Sequence, residues 1–372
     1  MNFIPISEPL LGKEEKEKVI ECMDSGWISS LGKYIPIFED NFAHYCSSKY
    51  GVAVYNGTVA IQLALRALDI SFGDEVIIPN LTFVATANAV AYTGAKPVLV
   101  DSEPETWNID PTKIEEKITD KTKAIIVVHL YGHPCDMDAI QEIADKYNLP
   151  IIEDAAEAHG AEYKTKKTGS FGIISCFSFY ANKTITTGEG GMCITNDKKL
   201  YDRMNFLKDH GMSKEKRYWH PEIGFNFRMT NLQAAIGVAQ LEKIELFIDV
   251  KRKNALLYNS LLKGVKGITL PPEKEWAKST YWMYSILIDK GEYGLSRDEL
   301  IEKLKENNID SRPFFYPMSL LPPYKTEEHF PISTLIASQG INLPSSAKIT
   351  EEQIQYICGV IQSISKTISN NI

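Results

Sequence analysis

The sequence predicts an α/β protein: a large, mostly parallel sheet covered by helices on both faces, followed by a smaller α+β unit. Three observations carry this. Seven short apolar runs recur between residues 50 and 200, helix-like patterns separate most of them, and the rhythm changes in the last third of the chain. Continuously apolar strands that do not alternate with polar residues are buried on both faces, which is the mark of a helix-covered parallel sheet.

In order, residues 52–55 form the first strand, and residues 58–68 carry apolar side chains at helical spacing. Strands follow at 75–78 and 97–100, with a helix over 83–92 between them. The run 124–129 is the fourth strand, 138–147 the next helix, and 150–154 the fifth strand. Residues 174–179 and 192–195 complete the seven. A long helical stretch, 231–262, then leads to a strand at 281–288, a helix at 297–307, a strand at 311–315 and a final helix at 351–364. A division near residue 245 separates a large domain (1–245) from a smaller one (246–372).

The 372 residues suffice for a sizeable core. A net charge of −8 argues against a nucleic-acid partner, which needs a basic surface to displace counterions. No apolar run approaches the ~20 residues that cross a bilayer, so no membrane partner is expected. The N-terminus has neither a basic nor an apolar leader region, and the six cysteines show no CxxC pair. A cytoplasmic location without disulfides or metal is expected.

Four features should gather at the carboxyl ends of the strands, where open α/β sheets bind ligands. Asn56-Gly57-Thr58 stands between a strand and a helix, where backbone N–H groups favour a phosphate; Thr58 is equally an ordinary helix cap. Asp154 ends a buried strand and needs a cationic partner, either a protonated ring nitrogen or an Arg or Lys elsewhere, unless it serves as a helix cap. Ser178 can add a hydroxyl to an anion cradle. Lys183, five residues on, stands before the glycines 188, 190 and 191, which permit tight turns and close approach. Asn226 and Arg228, just before the long helical stretch, could hold an anion or merely cap and pack.

Lys183 with its glycine turn, residues 153–159 (EDAAEAH) and residues 224–231 (GFNFRMTN) together resemble the DegT/DnrJ/EryC1/StrS family of pyridoxal-phosphate-dependent sugar aminotransferases. The resemblance runs from Trp27 to Pro344. Residues 129–137 (HLYGHPCDM), 182–192 (NKTITTGEGGM) and 217–220 (RYWH) look most like the perosamine-forming branch.

The resemblance implies the aspartate-aminotransferase fold and pyridoxal 5′-phosphate as cofactor, with pyridoxamine phosphate as its aminated form. It implies Lys183 as the catalytic, cofactor-bearing lysine. Gly57, Thr58 and Ser178 would hold the phosphate, and Phe83 would stack on the ring. Asp154 would pair with the ring nitrogen and Glu157 with the ring hydroxyl, where many relatives have glutamine. Asn226 would reach the phosphate of a neighbouring subunit, making a homodimer with shared active sites the minimal unit. Lys183 stands where some relatives carry a histidine and remove oxygen instead, so transamination is favoured.

L-Glutamate is the implied donor and a keto-sugar nucleotide, GDP-linked by first choice, the acceptor; a small phosphorylated ketone such as a triose phosphate is the alternative. Trp27, Ser29, Tyr218, His220, Arg312 and Tyr316 are the candidate substrate contacts, with a salt bridge the equal alternative for Arg312. Two other classes remain: a non-catalytic sensor, which would lack Lys183 or Asp154, and a nucleotide oxidoreductase, which needs a GxGxxG turn that Asn56-Gly57-Thr58 does not supply.

Overall fold

The computed structural model describes residues 2–369. The seven apolar runs form one sheet: Tyr50–Val54 (β1), Glu75–Pro79 (β2), Lys96–Val100 (β3), Thr122–Val128 (β4), Ile151–Asp154 (β5), Ile174–Ser178 (β6) and Gly191–Thr195 (β7). Their spatial order is β1-β7-β6-β5-β4-β2-β3. Strand β7 runs antiparallel to both β1 and β6, while the other pairings are parallel. The exception follows from connectivity. Parallel neighbours need a crossover, whereas β6 and β7 are joined by a helix-free loop that can only fold straight back.

Helices Lys13–Ser25 (α1), Tyr34–Tyr45 (α2), Gly57–Ala67 (α3), Ala85–Tyr92 (α4), Met137–Tyr147 (α5) and Lys198–Lys208 (α6) surround this sheet. Two apolar layers result. Val59, Leu63 and Leu65 of α3 pack with Ile78, Ile126 and Cys176 on one face. Phe38 and Phe42 of α2 pack with Phe177, Phe179 and Met192 on the other. Helix α5 starts where the Asp136 side chain accepts the Ala139 N–H and stops at Asn148 in the left-handed conformation.

The stretch expected to be one helix over 231–262 is two, Asn231–Leu241 (α7) and Ile244–Leu262 (α8). Lys243 leaves helical geometry between them at φ −113°, ψ 4°, and its ammonium meets Glu15 of α1 at 2.5 Å. A second sheet follows: Ile268–Thr269 (β8), Tyr284–Ile288 (β9), Arg312–Pro313 (β10) and Gly340–Leu343 (β11), in the order β8-β9-β11-β10. The expected strand 281–288 begins only at Tyr284, because Tyr281 turns the chain at φ 46°. Strand β10 is likewise shorter than expected, since Pro313 offers no N–H to extend the ladder. Helices Arg297–Glu306 (α9), Pro331–Gln339 (α10) and Glu351–Ser369 (α11) complete the unit. Its core joins Tyr258, Tyr284, Leu300, Ile341, Ile354 and Ile357, and Ile4 from the N-terminus packs into it as well.

One buried cation lies in α8. Lys251 is 5% exposed, its ammonium donates to the Ser345 carbonyl at 2.5 Å, and burial pushes its pKa down to about 8. Below pH 8 the folded chain holds a charge that the unfolded chain holds in water; the penalty is relieved only as pH rises from 8 toward 10.5. Lys251→Met is therefore expected to stabilise the protein at pH 7 by about 2 kcal/mol. In denaturant titrations the gain should shrink as pH approaches 10, and a loss of stability at pH 7 would contradict the account.

Candidate active site

The carboxyl ends of β1, β5 and β6 open onto a cavity of about 370 Å³, a size suited to a small cofactor. Asn56 ends the first βα turn and caps α3, its Oδ1 accepting the Val59 N–H at 3.0 Å. The cap is Asn56, not Thr58. Gly57 is buried at the start of α3 so closely to Ser178 that an added Cβ would lie 2.7 Å from the serine Cβ. Gly57, Thr58 and Ser178 thus bring a helix N-terminus and two hydroxyls to one wall of the cavity, an arrangement that favours an anion.

Asp154 ends β5 and faces the same cavity. Its Oδ2 accepts a hydrogen bond from Thr86 at 2.8 Å and its Oδ1 one from the Ala156 N–H at 3.3 Å. Among the described residues no Lys or Arg lies within 4.0 Å of it, and burial pushes its pKa up. Glu157 accepts the Tyr131 N–H at 2.8 Å, and its other oxygen lies 4.0 Å from the Lys183 ammonium. Burial raises the Glu157 carboxyl, while the nearby Lys183 charge opposes the rise.

Lys183 sits one turn beyond β6, where its N–H bonds the Tyr180 carbonyl at 2.9 Å. Its side chain is 10% exposed, and loss of water pushes its pKa down against the opposing pull of Glu157 and Asp154. A lysine so placed reaches the neutral, nucleophilic form more easily than one in water. The glycines behind it are structural. A Cβ at Gly191 would strike the Asn56 carbonyl at 2.3 Å, so the tight return into β7 requires glycine there.

These residues fit pyridoxal phosphate on their own chemistry. An anion cradle, a buried acid without a cation and an amine of depressed pKa converge on one cavity, which also holds the buried Asn182 Oδ1, without a hydrogen-bond partner among the described residues. Phe83 lines the cavity too, its ring 5.5 Å from that of Phe315.

The other expected contacts lie elsewhere. Asn226 accepts two hydrogen bonds from Arg228, which pairs with Asp209 at 2.7 Å. Trp27 borders a separate depression with Leu31, Tyr34 and Asn231, and Ser29 is exposed nearby. Tyr218 is exposed, and His220 Nδ1 lies 2.9 Å from the His210 carbonyl. Arg312 takes the salt-bridge alternative, 3.1 Å from Asp310, and Tyr316 is exposed.

Three contributors escaped the sequence reading. Thr86 and Thr82 bond one another at 3.1 Å beneath Asp154, but Thr82 precedes α4, so no helical spacing marks the pair. Trp282, buried against Lys183, left no such trace inside an apolar run that reads as strand.

The DegT/DnrJ/EryC1/StrS aminotransferase family matches residues 9–362. A GDP-perosamine synthase of Escherichia coli O157:H7 is 51% identical over 360 residues, covering 96% of this chain and 97% of that one. A GDP-perosamine synthase of Caulobacter vibrioides is 45% identical over 364 residues, 97% and 98% of the two chains. A protein of Streptococcus pneumoniae described as a sugar aminotransferase, solved in its PMP form, superposes with a TM-score of 0.92 at 28% identity, covering 99% of each chain.

Gly57→Ala tests the cradle. The added methyl would force Ser178 away, and cofactor affinity, read by equilibrium dialysis, should fall roughly tenfold to a hundredfold. Unchanged affinity would remove the phosphate from this wall.

Proposed function

This chain belongs to the DegT/DnrJ/EryC1/StrS aminotransferase family, and we propose that its amino acceptor is a GDP-linked 4-keto-6-deoxy sugar. It is a pyridoxal-phosphate-dependent aminotransferase acting on a keto-sugar nucleotide in glycan biosynthesis. The single observation that carries the reading is the meeting in one desolvated cavity of Lys183 and a buried Asp154 that, among the described residues, has no Lys or Arg within 4.0 Å. The choice of GDP is supported by the named activities of the relatives with 51% and 45% identity over nearly the full chain.

When bound, the cofactor supplies an electron-withdrawing ring and an aldehyde carbon that a primary amine can take. We assign Gly57, Thr58 and Ser178 to its phosphate, Asp154 to its ring nitrogen, Glu157 to its ring hydroxyl and Phe83 to its ring face. Asp154 ionised would hold a proton on the ring nitrogen, the partner its burial demands. Lys183 would hold the cofactor through its amine and, when free, would serve as the general base and then the general acid that moves the donor's α-proton. Trp282 and Phe315 wall the cavity that Lys183 lines.

L-Glutamate is our assigned donor, and the minimal unit is a homodimer. The position of Asn226 outside the cavity supports the dimer: Arg228 holds its Oδ1, which leaves the exposed side-chain NH2 to donate to a neighbouring copy's phosphate. Exposed Trp27, Ile28, Leu31 and Ile223 are apolar surface that a second copy would cover. A non-catalytic sensor would dispense with Lys183 or Asp154, and both are in place.

Two experiments follow. Lys183→Ala should still bind the cofactor, by its absorbance after gel filtration, yet lose turnover by at least a thousandfold; normal turnover would sink the assignment. In the second, cofactor-loaded protein is treated with L-glutamate, freed of donor and offered a panel of ketones. The original cofactor absorbance should return with a GDP-linked keto-sugar. Return only with dTDP- or UDP-linked sugars would change the nucleotide, and return only with small keto-phosphates would overturn the sugar reading.

A further inference from the structure

The Lys183 ammonium has an aromatic seat. Its Nζ lies 3.6 Å from the centroid of the Trp282 ring, closer than the 4.0 Å to Glu157. Trp282 comes from the far side of the chain, in the segment that Tyr281 turns away from β9. It is 4% exposed, so its face is desolvated and its quadrupole acts on the amine at nearly full strength.

The ring is fixed on both sides. Its indole N–H donates to the carbonyl of Asn182, the residue before Lys183, at 2.8 Å. Its plane lies 20° from that of Tyr131, with ring centroids 6.2 Å apart, and the Tyr131 N–H holds Glu157. One side chain therefore ties the backbone beside Lys183, faces its amine, and packs on the residue that holds the amine's counter-charge. Nothing about simple core filling requires that the cation, the indole face and the loop carbonyl coincide.

From this geometry we infer that Trp282 is a positioning residue for Lys183: its indole face holds the amine, and favours its protonated form, whenever the amine is not bonded to the cofactor. The inference rests on the aminotransferase reading for its purpose, because only a lysine that alternates between bound and free states needs a defined place when free. No bond is made or broken by Trp282. It offsets part of the desolvation that otherwise drives the proton from Lys183. The titratable groups around that amine are Glu157 and Asp154, with His159 within reach of its charge, Tyr180 and Glu189 lining the same cavity, and Glu8 and Lys251 lining an adjoining crevice. Trp282 is the neutral one among them whose removal leaves the charges in place.

The test is made on the full chain freed of cofactor, so that it reads the amine and not catalysis. Acylation of Lys183 by an amine-selective reagent is followed against pH by mass spectrometry of its peptide, in wild type, Trp282→Phe and Trp282→Leu. Trp282→Leu should lower the apparent pKa of Lys183 by about one pH unit, and Trp282→Phe, which keeps an aromatic face, by clearly less. Wild-type protein made with a fluorinated tryptophan covers the case in which Trp282→Leu does not fold. The isosteric, electron-poor ring should move the pKa in the same direction as leucine.

Unchanged profiles in the fluorinated protein and Trp282→Leu would overturn the inference. Equal shifts in Trp282→Phe and Trp282→Leu, with none in the fluorinated protein, would also overturn it by making the indole N–H the only anchor. Either failure leaves the aminotransferase reading intact, since that reading stands on Lys183 turnover and not on its titration in the free protein.

Discussion

The organisation of this molecule turns on two adjacent carboxylates at the end of β5. Neighbouring residues of a strand face opposite sides, and Glu153 and Asp154 meet opposite fates. Glu153 is saturated by donors: the N–H groups of Gly169, Phe171 and Gly172, the Ser175 hydroxyl, and His129 at 3.0 Å. His129 must donate there through Nε2, because its Nδ1 accepts the Cys135 N–H at 3.1 Å. Those bonds outweigh full burial and hold Glu153 below the usual carboxylate range. Among the described residues Asp154 receives only a threonine hydroxyl and one long backbone bond, and burial wins. The protein therefore keeps a fully satisfied charge behind the sheet edge and an unsatisfied one at the cavity. The first fixes the second in place.

The remaining active groups depend on how the chain returns to that edge. The β6–β7 connection folds straight back, places Lys183 over the cavity, and needs glycine where β7 passes under Asn56. The second sheet contributes by proximity: Trp282 and Phe315 close the cavity from the other side. The N-terminal segment joins the two parts. Ile4 pairs with Ile309, Ser345 donates its N–H to the Ile6 carbonyl, and Ser7 reaches the same Asn182 carbonyl that Trp282 holds. A stable wall on both sides of one lysine is what these long-range contacts achieve.

How much of this was legible follows from what kind of signal each part leaves. All seven strands of the large sheet were readable, because strands buried on both faces are continuously apolar. Helices α1, α2, α6 and α10 were not. Helix α1 is dominated by Lys and Glu and buries only Glu15 and Cys22, leaving a weak apolar stripe. Gly57, Thr58, Asp154, Ser178 and Lys183 line one cavity, since strand ends and the loops next to them are fixed by the local pattern; Phe83 and Glu157 line it too, but only the family resemblance pointed to them. None of Trp27, Ser29, Tyr218, His220, Arg312 and Tyr316 does, because contacts from distant segments leave no periodic trace. Trp282 escaped for the same reason, and the turn at Tyr281 that delivers it is a non-glycine left-handed residue that composition does not announce.

The central claim is that Lys183, and no other lysine, takes the cofactor. Its most direct test is chemical trapping: protein loaded with pyridoxal phosphate is reduced with borohydride, digested, and mapped by mass spectrometry. The account predicts a single phosphopyridoxyl label on Lys183, abolished in Asp154→Ala protein that no longer retains the cofactor. A label on Lys251, the other buried lysine of the adjoining crevice, or scattered over surface lysines, would contradict it.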